Sequence, residues 1–242
     1  MKKGLVCFLA ALMLLATTAC GGDEDVRGTI GGGESTENEN PSQSTTASTS
    51  GTQTTTTGKP EEEKFGFGTT AGGEYTNRYI GIGCKLDDNW TFKSDEEILA
   101  QNNLTKDYLD EDIAELLDNS QIIYDMMAVH SNGTDNLLVN LEKTTMLQAA
   151  LTDLKAMLER TAPTAESALS GMGYTNFTWK VEEVTIGGQK FAALRNRAEI
   201  NGVTMYQLTV AVRCSQHIAS IGVTTFGEDK TDDLLAKFYL VE

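Results

Sequence analysis

The chain has 242 residues and is strongly acidic, with 35 Asp and Glu against 19 Lys and Arg for a formal net charge of −16. A surface of that sign repels phosphate backbones and anionic headgroups, which excludes nucleic acid as a partner and adsorption to a membrane through basic residues. Four cysteines and two histidines are too few for a disulfide framework or a clustered zinc centre.

In chain order the first element is a leader. Met1-Lys2-Lys3 gives a positive start, Gly4 to Ala16 is an apolar run short of the roughly 20 residues of a bilayer span, and Thr17-Thr18-Ala19 places small residues before Cys20. This order resembles the signal of bacterial lipoproteins, in which the cut falls just ahead of a cysteine that is then acylated on its sulfur. The resemblance implies a signal peptide over 1–19, lipidation at Cys20, and a protein anchored by lipid to the cell membrane and facing outside the cytoplasm. Two or more acyl chains hold stably where one is marginal. No separate transmembrane helix is expected after Cys20.

Residues 20–73 are dominated by Thr, Ser, Gly, Glu and Asn and carry no hydrophobic period. Such a segment buries too little to offset its ordering entropy, so it reads as a disordered tether with a root-mean-square span of roughly 40 Å.

Residues 74–242 read as one domain. Tyr75 to Leu86 is a strand or hairpin, Asp87-Asp88-Asn89 a turn into Trp90-Thr91-Phe92, and Ser94-Asp95-Glu96-Glu97 a capping box that starts a helix. Tyr108, Leu109, Ile113, Leu116 and Leu117 recur at helical spacing, with Asp110, Glu111, Asp112 and Glu115 opposite. Gln121 to Val129 and Asn136 to Leu141 flank an Asn132-Gly133 hairpin signal. Thr144 to Arg160 carries Leu147, Leu151, Leu154 and Leu158 on one face and predicts a long helix, broken or restarted by Pro163 and ended at Gly171 to Gly173. The period then switches to two: Phe177 to Ile186, Phe191 to Ile200, Val203 to Cys214 and Ile218 to Phe226 predict a four-strand antiparallel meander with Gly187-Gly188 and Asn201-Gly202 as turns. Thr231-Asp232-Asp233 predicts the cap of a last helix bearing Leu234, Leu235, Phe238 and Tyr239.

This order calls for an α+β fold, an antiparallel sheet with helices on both faces. The opening "EYTNRYIGIGCKLDDNW", the later hairpin, the long helix and "VTIGGQKFAAL" are similar in order to the PsbP-like family. The resemblance implies an α/β/α sandwich and no enzyme chemistry, since its members include binding proteins and lipoproteins.

The sequence offers no catalytic, cofactor-binding or metal-binding signature: nucleophile elbow, Walker loop and dinucleotide fingerprint are all missing. His130 and His217 read as hairpin-end residues. The run Asp107, Asp110, Glu111, Asp112, Glu115 lacks the loop glycine of an EF-hand and reads as a solvated helix face. Cys84 and Cys214 fall on core-facing positions of strands and are either buried free thiols or a disulfide. The function expected is a non-catalytic, lipid-anchored binding or assembly module whose partner is an envelope protein or a small ligand. The alternatives are an envelope enzyme of unrecognised type and a passive structural surface protein.

Overall fold

The structure, a computed structural model, describes residues 65–102 and 122–241. Cys20, the signal peptide, most of the tether and the expected helix over Tyr108 to Leu117 with its acidic face lie outside the described residues.

Period-two alternation after Gly173 produces four long strands: β7 (Thr175–Ile186), β8 (Gln189–Ile200), β9 (Val203–Cys214) and β10 (His217–Phe226). Their turns follow from residues that tolerate positive φ, as at Asn201 (φ 51) and Gly202 (φ 79), the pair that matches strand twist in a two-residue hairpin. The earlier hairpin is β5 (Ile122–His130) and β6 (Asn136–Lys143), with β4 (Trp90–Phe92) at the edge. The meander docks onto this hairpin through β10 and β6, where Ile221 faces Val139 and Ser220 faces Asn140. The result is a seven-stranded antiparallel sheet in the order β4-β5-β6-β10-β9-β8-β7.

A second, four-stranded sheet has the order β1-β2-β3-β11, built from β1 (Thr69–Ala71), β2 (Glu74–Asn77), β3 (Ile82–Lys85) and β11 (Phe238–Leu240). It packs on one face of the large sheet. Tyr75, Ile82 and Cys84 join Leu137, Val139, Leu208, Val210 and Ile221 in one buried cluster. The opposite face carries helices: Met157, Leu158, Ala162 and Leu169 of α3 (Leu154–Gly171) meet Leu194, Ala198 and Met205, while Ile98 of α1 (Asp95–Gln101) meets Tyr124, Met127 and Leu138.

The α+β class, the antiparallel pairing, the meander and the Ser94 capping box are as the periodicities predict. The layering is different in detail. The face away from α1 and α3 is covered mainly by the second sheet, joined there by the five-residue α4 (Thr231–Leu235), whose Leu234 and Leu235 enter the same cluster.

Four local readings change. The segment after Thr144 forms two helices, α2 (Met146–Leu151) and α3, because Thr152 and Asp153 are extended and Asp153 accepts from the Ala156 amide as a new cap. Leu147 and Leu151 are consequently 68% and 75% exposed, off the core. Pro163 does not break α3; it sits inside the helix at an exposed position. The last helix stops at Leu235, and Phe238 and Tyr239 form β11 against Cys84 and Gly83 instead of a further helical turn.

The ordered fold also begins before Glu74. Phe65 and Phe67 pack against the core cluster and β1 pairs with β2, so residues 65–73 belong to the domain and not to the tether.

Candidate functional site

The segment ahead of β1 is held by one buried carboxylate. β5 carries a bulge between Tyr124 and Met126, and the extra residue, Asp125, turns its side chain toward the small sheet. Its Oδ1 accepts from the Gly68 amide at 2.8 Å and its Oδ2 from the Asn77 side-chain amide at 2.8 Å and from the Tyr75 hydroxyl. Asn77 also donates to the Gly66 carbonyl at 3.1 Å. Gly68 is required by close approach, since a Cβ there would lie 2.2 Å from the Tyr75 ring. Burial pushes the Asp125 carboxyl up, against the pull of its donors from Tyr75, Gly68 and Asn77. The Tyr75 phenol is raised well above its ordinary value, first by burial and then by the neighbouring Asp125 charge.

Beside this latch lies a cavity of about 340 Å³ lined by Phe67 to Thr70, by helix α1 and the residues ahead of it, and by Asp125 to Met127 of β5. Phe67, Ile98, Leu99 and Met127 give it an apolar lining, Asp125 stands at its inner end, and Lys93 and Asp95 are among its polar lining groups. The α1 capping box fixes its mouth: Ser94 accepts from the Glu97 amide at 3.3 Å, the Glu97 carboxylate accepts from the Ser94 amide at 2.9 Å, and Lys93 pairs with Glu97 at 2.6 Å. An apolar pocket with a few fixed polar groups suits a small, mostly apolar molecule.

The residues singled out in the sequence do not converge on this cavity. His130 closes the β5–β6 hairpin with its ring against Trp90 at 5.1 Å. His217 opens β10 at the other hairpin end, but it is buried, with its Nδ1 2.6 Å from the Tyr79 hydroxyl and Phe65 against both rings. Cys84 and Cys214 are both free, both in the core cluster, and burial pushes each thiol up to about 12. Among the described residues no group of three or more His, Cys, Asp and Glu could hold a metal ion, and no helix is long and apolar enough to cross a membrane.

Asp125 was missed in the sequence because it occupies a bulge. In "QIIYDMMAVH" it reads as an interruption of an apolar strand, which is the one available signal: a lone acid inside a buried strand needs partners.

No protein-family model matches the chain, and no curated protein is significantly similar to it. Among solved structures it is similar to a protein of Bacteroides thetaiotaomicron VPI-5482, at 8% identity and a TM-score of 0.40 over 71% of this chain and 49% of that one. It is similar to LpqN, described as involved in cell envelope biogenesis of Mycobacterium tuberculosis, at 15% identity and a TM-score of 0.36 over 66% of this chain and 83% of that one. A third is PA94 of Pseudomonas aeruginosa, of unknown function, at 14% identity and a TM-score of 0.26 over 37% of this chain and 58% of that one. The chain spans about half the length of the Bacteroides protein. Likenesses of this degree carry no argument about activity.

Proposed function

We propose that the protein is a lipid-anchored, non-catalytic binding module of the bacterial cell envelope, which holds a small, mostly apolar ligand beside α1. The observation that carries the binding reading is the cavity of about 340 Å³ with its apolar lining. The carboxylate at its inner end already accepts from Gly68, Tyr75 and Asn77. A group so engaged serves architecture and is poorly placed as a general base. The anchoring is supported by the order of residues from Met1 to Cys20, and the acidic composition suits a domain that stays soluble near a membrane.

Two measurements test this. Cys20→Ser removes the acyl acceptor, so the protein is expected to leave the membrane pellet and to lose fatty-acid label; label that persists in the variant overturns the anchor. Thr70, exposed at the cavity, can be replaced by Trp to fill the mouth without touching the core. Thr70→Trp is expected to abolish binding of the neutral dye Nile red while leaving the thermal midpoint unchanged. Equal dye binding in both proteins overturns the cavity as the site.

A further inference from the structure

The large sheet splits at one end between β8 and β9. Their ladder runs from Ile200 opposite Val203 to Ala192 opposite Ala211 and stops there, although β8 begins three residues earlier, at Gln189, and β9 continues to Cys214. Over these residues each strand keeps its other neighbour. Gln189 and Lys190 pair with Ile186 and Thr185 of β7, and Arg213 and Cys214 with Ile218 and His217 of β10. Two intact hairpins therefore diverge, and a cavity of about 510 Å³ is lined by Gln189 to Ala192 on one side of the split and by Ala211 to Arg213 on the other. That volume lies within the roughly 300–1,000 Å³ of ligand clefts.

The cavity has two chemically different ends. Ala192 and Ala211 pack with the α3 residues, so Lys190 and Arg213, two positions further along each strand, share that helix-covered face. Continuing the register would set these two cations directly opposite each other, and like charges so placed destabilise a strand pair. Phe191 and Val212 turn the other way, into the cluster beneath the small sheet, where Ile80, Ile82 and Leu240 complete an apolar wall. Among the described residues lining the cavity there are two cations and no carboxylate, in a chain whose net charge is −16.

We infer that the split between β8 and β9 is a binding site for a single-chain anionic amphiphile, a carboxylate or phosphate monoester whose head sits between Lys190 and Arg213 and whose hydrocarbon chain lies against Phe191, Val212, Ile82 and Leu240. The head neutralises two cations that otherwise repel, and it accepts charge-assisted hydrogen bonds from both. Arg213 is held ready for this. Its Nε donates to the Ala149 carbonyl and its Nη2 to the Thr152 carbonyl, at 2.5 Å each. Both acceptors are neutral, so they fix the guanidinium without cancelling its charge, and they use two of its five N–H donors. Lys190 pairs with Glu183 at 3.4 Å, but the two side chains are 71% and 63% exposed, and an ion pair in that setting is weak enough for a ligand to displace. The cavity shares no lining residue with the one beside α1, and the two sites stand or fall separately.

The test uses the full chain carrying Cys20→Ser, so that no detergent competes, and four decyl probes below their micellar concentrations: decanoate, decyl phosphate, decanol and decyltrimethylammonium. Calorimetric affinity is read together with the backbone amide resonances of Lys190 and Arg213. At least one anion is expected to bind and to move both resonances, and the tighter of the two identifies the head as carboxylate or phosphate. Decanol and the ammonium probe are expected to bind at least about tenfold more weakly, because neither offers the two cations a negative charge. Lys190 is exposed, so its variants should fold as the parent does. Lys190→Gln is expected to weaken anion binding severalfold and Lys190→Glu by roughly tenfold or more, while Arg213→Lys keeps the charge but loses the planar fork and is expected to fall between them. The Lys190 pair keeps the test decisive if Arg213→Lys does not fold. Thr70→Trp is expected to leave anion affinity unchanged, and Lys190→Glu to leave Nile red binding unchanged. The inference is overturned if neither anion binds, if decanol or the ammonium probe binds as tightly as the anions, or if Lys190→Glu binds the anions as the parent does.

Discussion

Tyr75 donates its hydroxyl hydrogen bond to Asp125 and so ties the small sheet to the bulge of the large one. The two residues are separated by 50 positions in the chain, and the contact is closed to solvent on both sides. Replacing Tyr75 by Phe removes one of three donors and leaves the carboxylate undersatisfied, at an expected cost of about 1–3 kcal/mol. Asp125→Ala strands the Gly68 amide, the Asn77 amide and the Tyr75 hydroxyl together and is expected to cost more, about 3 kcal/mol or above. Urea unfolding measures both. A loss below about 0.5 kcal/mol in Asp125→Ala would show that the latch holds nothing.

The same latch decides where the domain starts. A chain beginning at Glu62 keeps Phe65, Phe67 and the Gly68 amide on Asp125, whereas a chain beginning at Glu74 loses all of them along with β1. Burial of two aromatic rings, each partial here, and one charge-assisted hydrogen bond together contribute about 2–5 kcal/mol. The longer version is expected to unfold cooperatively at a clearly higher temperature. Coincident melting curves would return residues 65–73 to the tether.

Most of the fold is legible in the sequence for a physical reason: strands that alternate and helices that begin at a capping box declare themselves locally. The meander from Phe177 to Phe226 and the Ser94 box are of this kind. What escapes local reading depends on distant partners. Phe238 and Tyr239 fit a helical stripe equally well until β3 is present to pair with them. Phe65 and Phe67 sit in a polar composition, and only Tyr79, His217 and the core show why they are there. The polar positions of β6 are hidden most deeply. Asn136, Asn140 and Glu142 alternate with Leu137, Val139 and Leu141 as they would on a strand with one wet face, and burial of that face is visible only in the structure.

Glu142 gives that face a pH signature. Burial raises its carboxyl from the ordinary 4.5 to about 7, so between those values the folded protein holds a proton that the unfolded chain has released. Stability from this residue is therefore full below about pH 4.5 and falls as pH rises, with the penalty complete above about pH 7. A shift of this size corresponds to a few kcal/mol at most, and partial exposure to solvent reduces it to about 1–2 kcal/mol. Glu142→Gln is thus expected to exceed the parent in stability at about pH 8 by that amount and to match it near pH 4.5. Carboxylates held down elsewhere, such as Glu97 beside Lys93, are common to both proteins and cancel in the difference. A gap between the two unfolding curves that does not change with pH would reject the assignment.

The two domain cysteines provide a test of the core itself. Cys84 pairs in register with Tyr75 and with Phe238 inside the small sheet, and Cys214 lies at the end of β9 with its Sγ 3.6 Å from the His217 carbonyl. Both are free and buried, and burial holds each thiol near 12. Reaction requires the thiolate, so neither should be modified in the folded protein at about pH 8 on the timescale of an exposed cysteine. Denaturation without reductant is expected to release two reactive thiols in the Cys20→Ser chain after removal of its leader. Rapid labelling before denaturation would mean that the cluster around Tyr75 and Val210 opens far more readily than its burial implies, and absence of thiols afterwards would mean that the two cysteines are bridged.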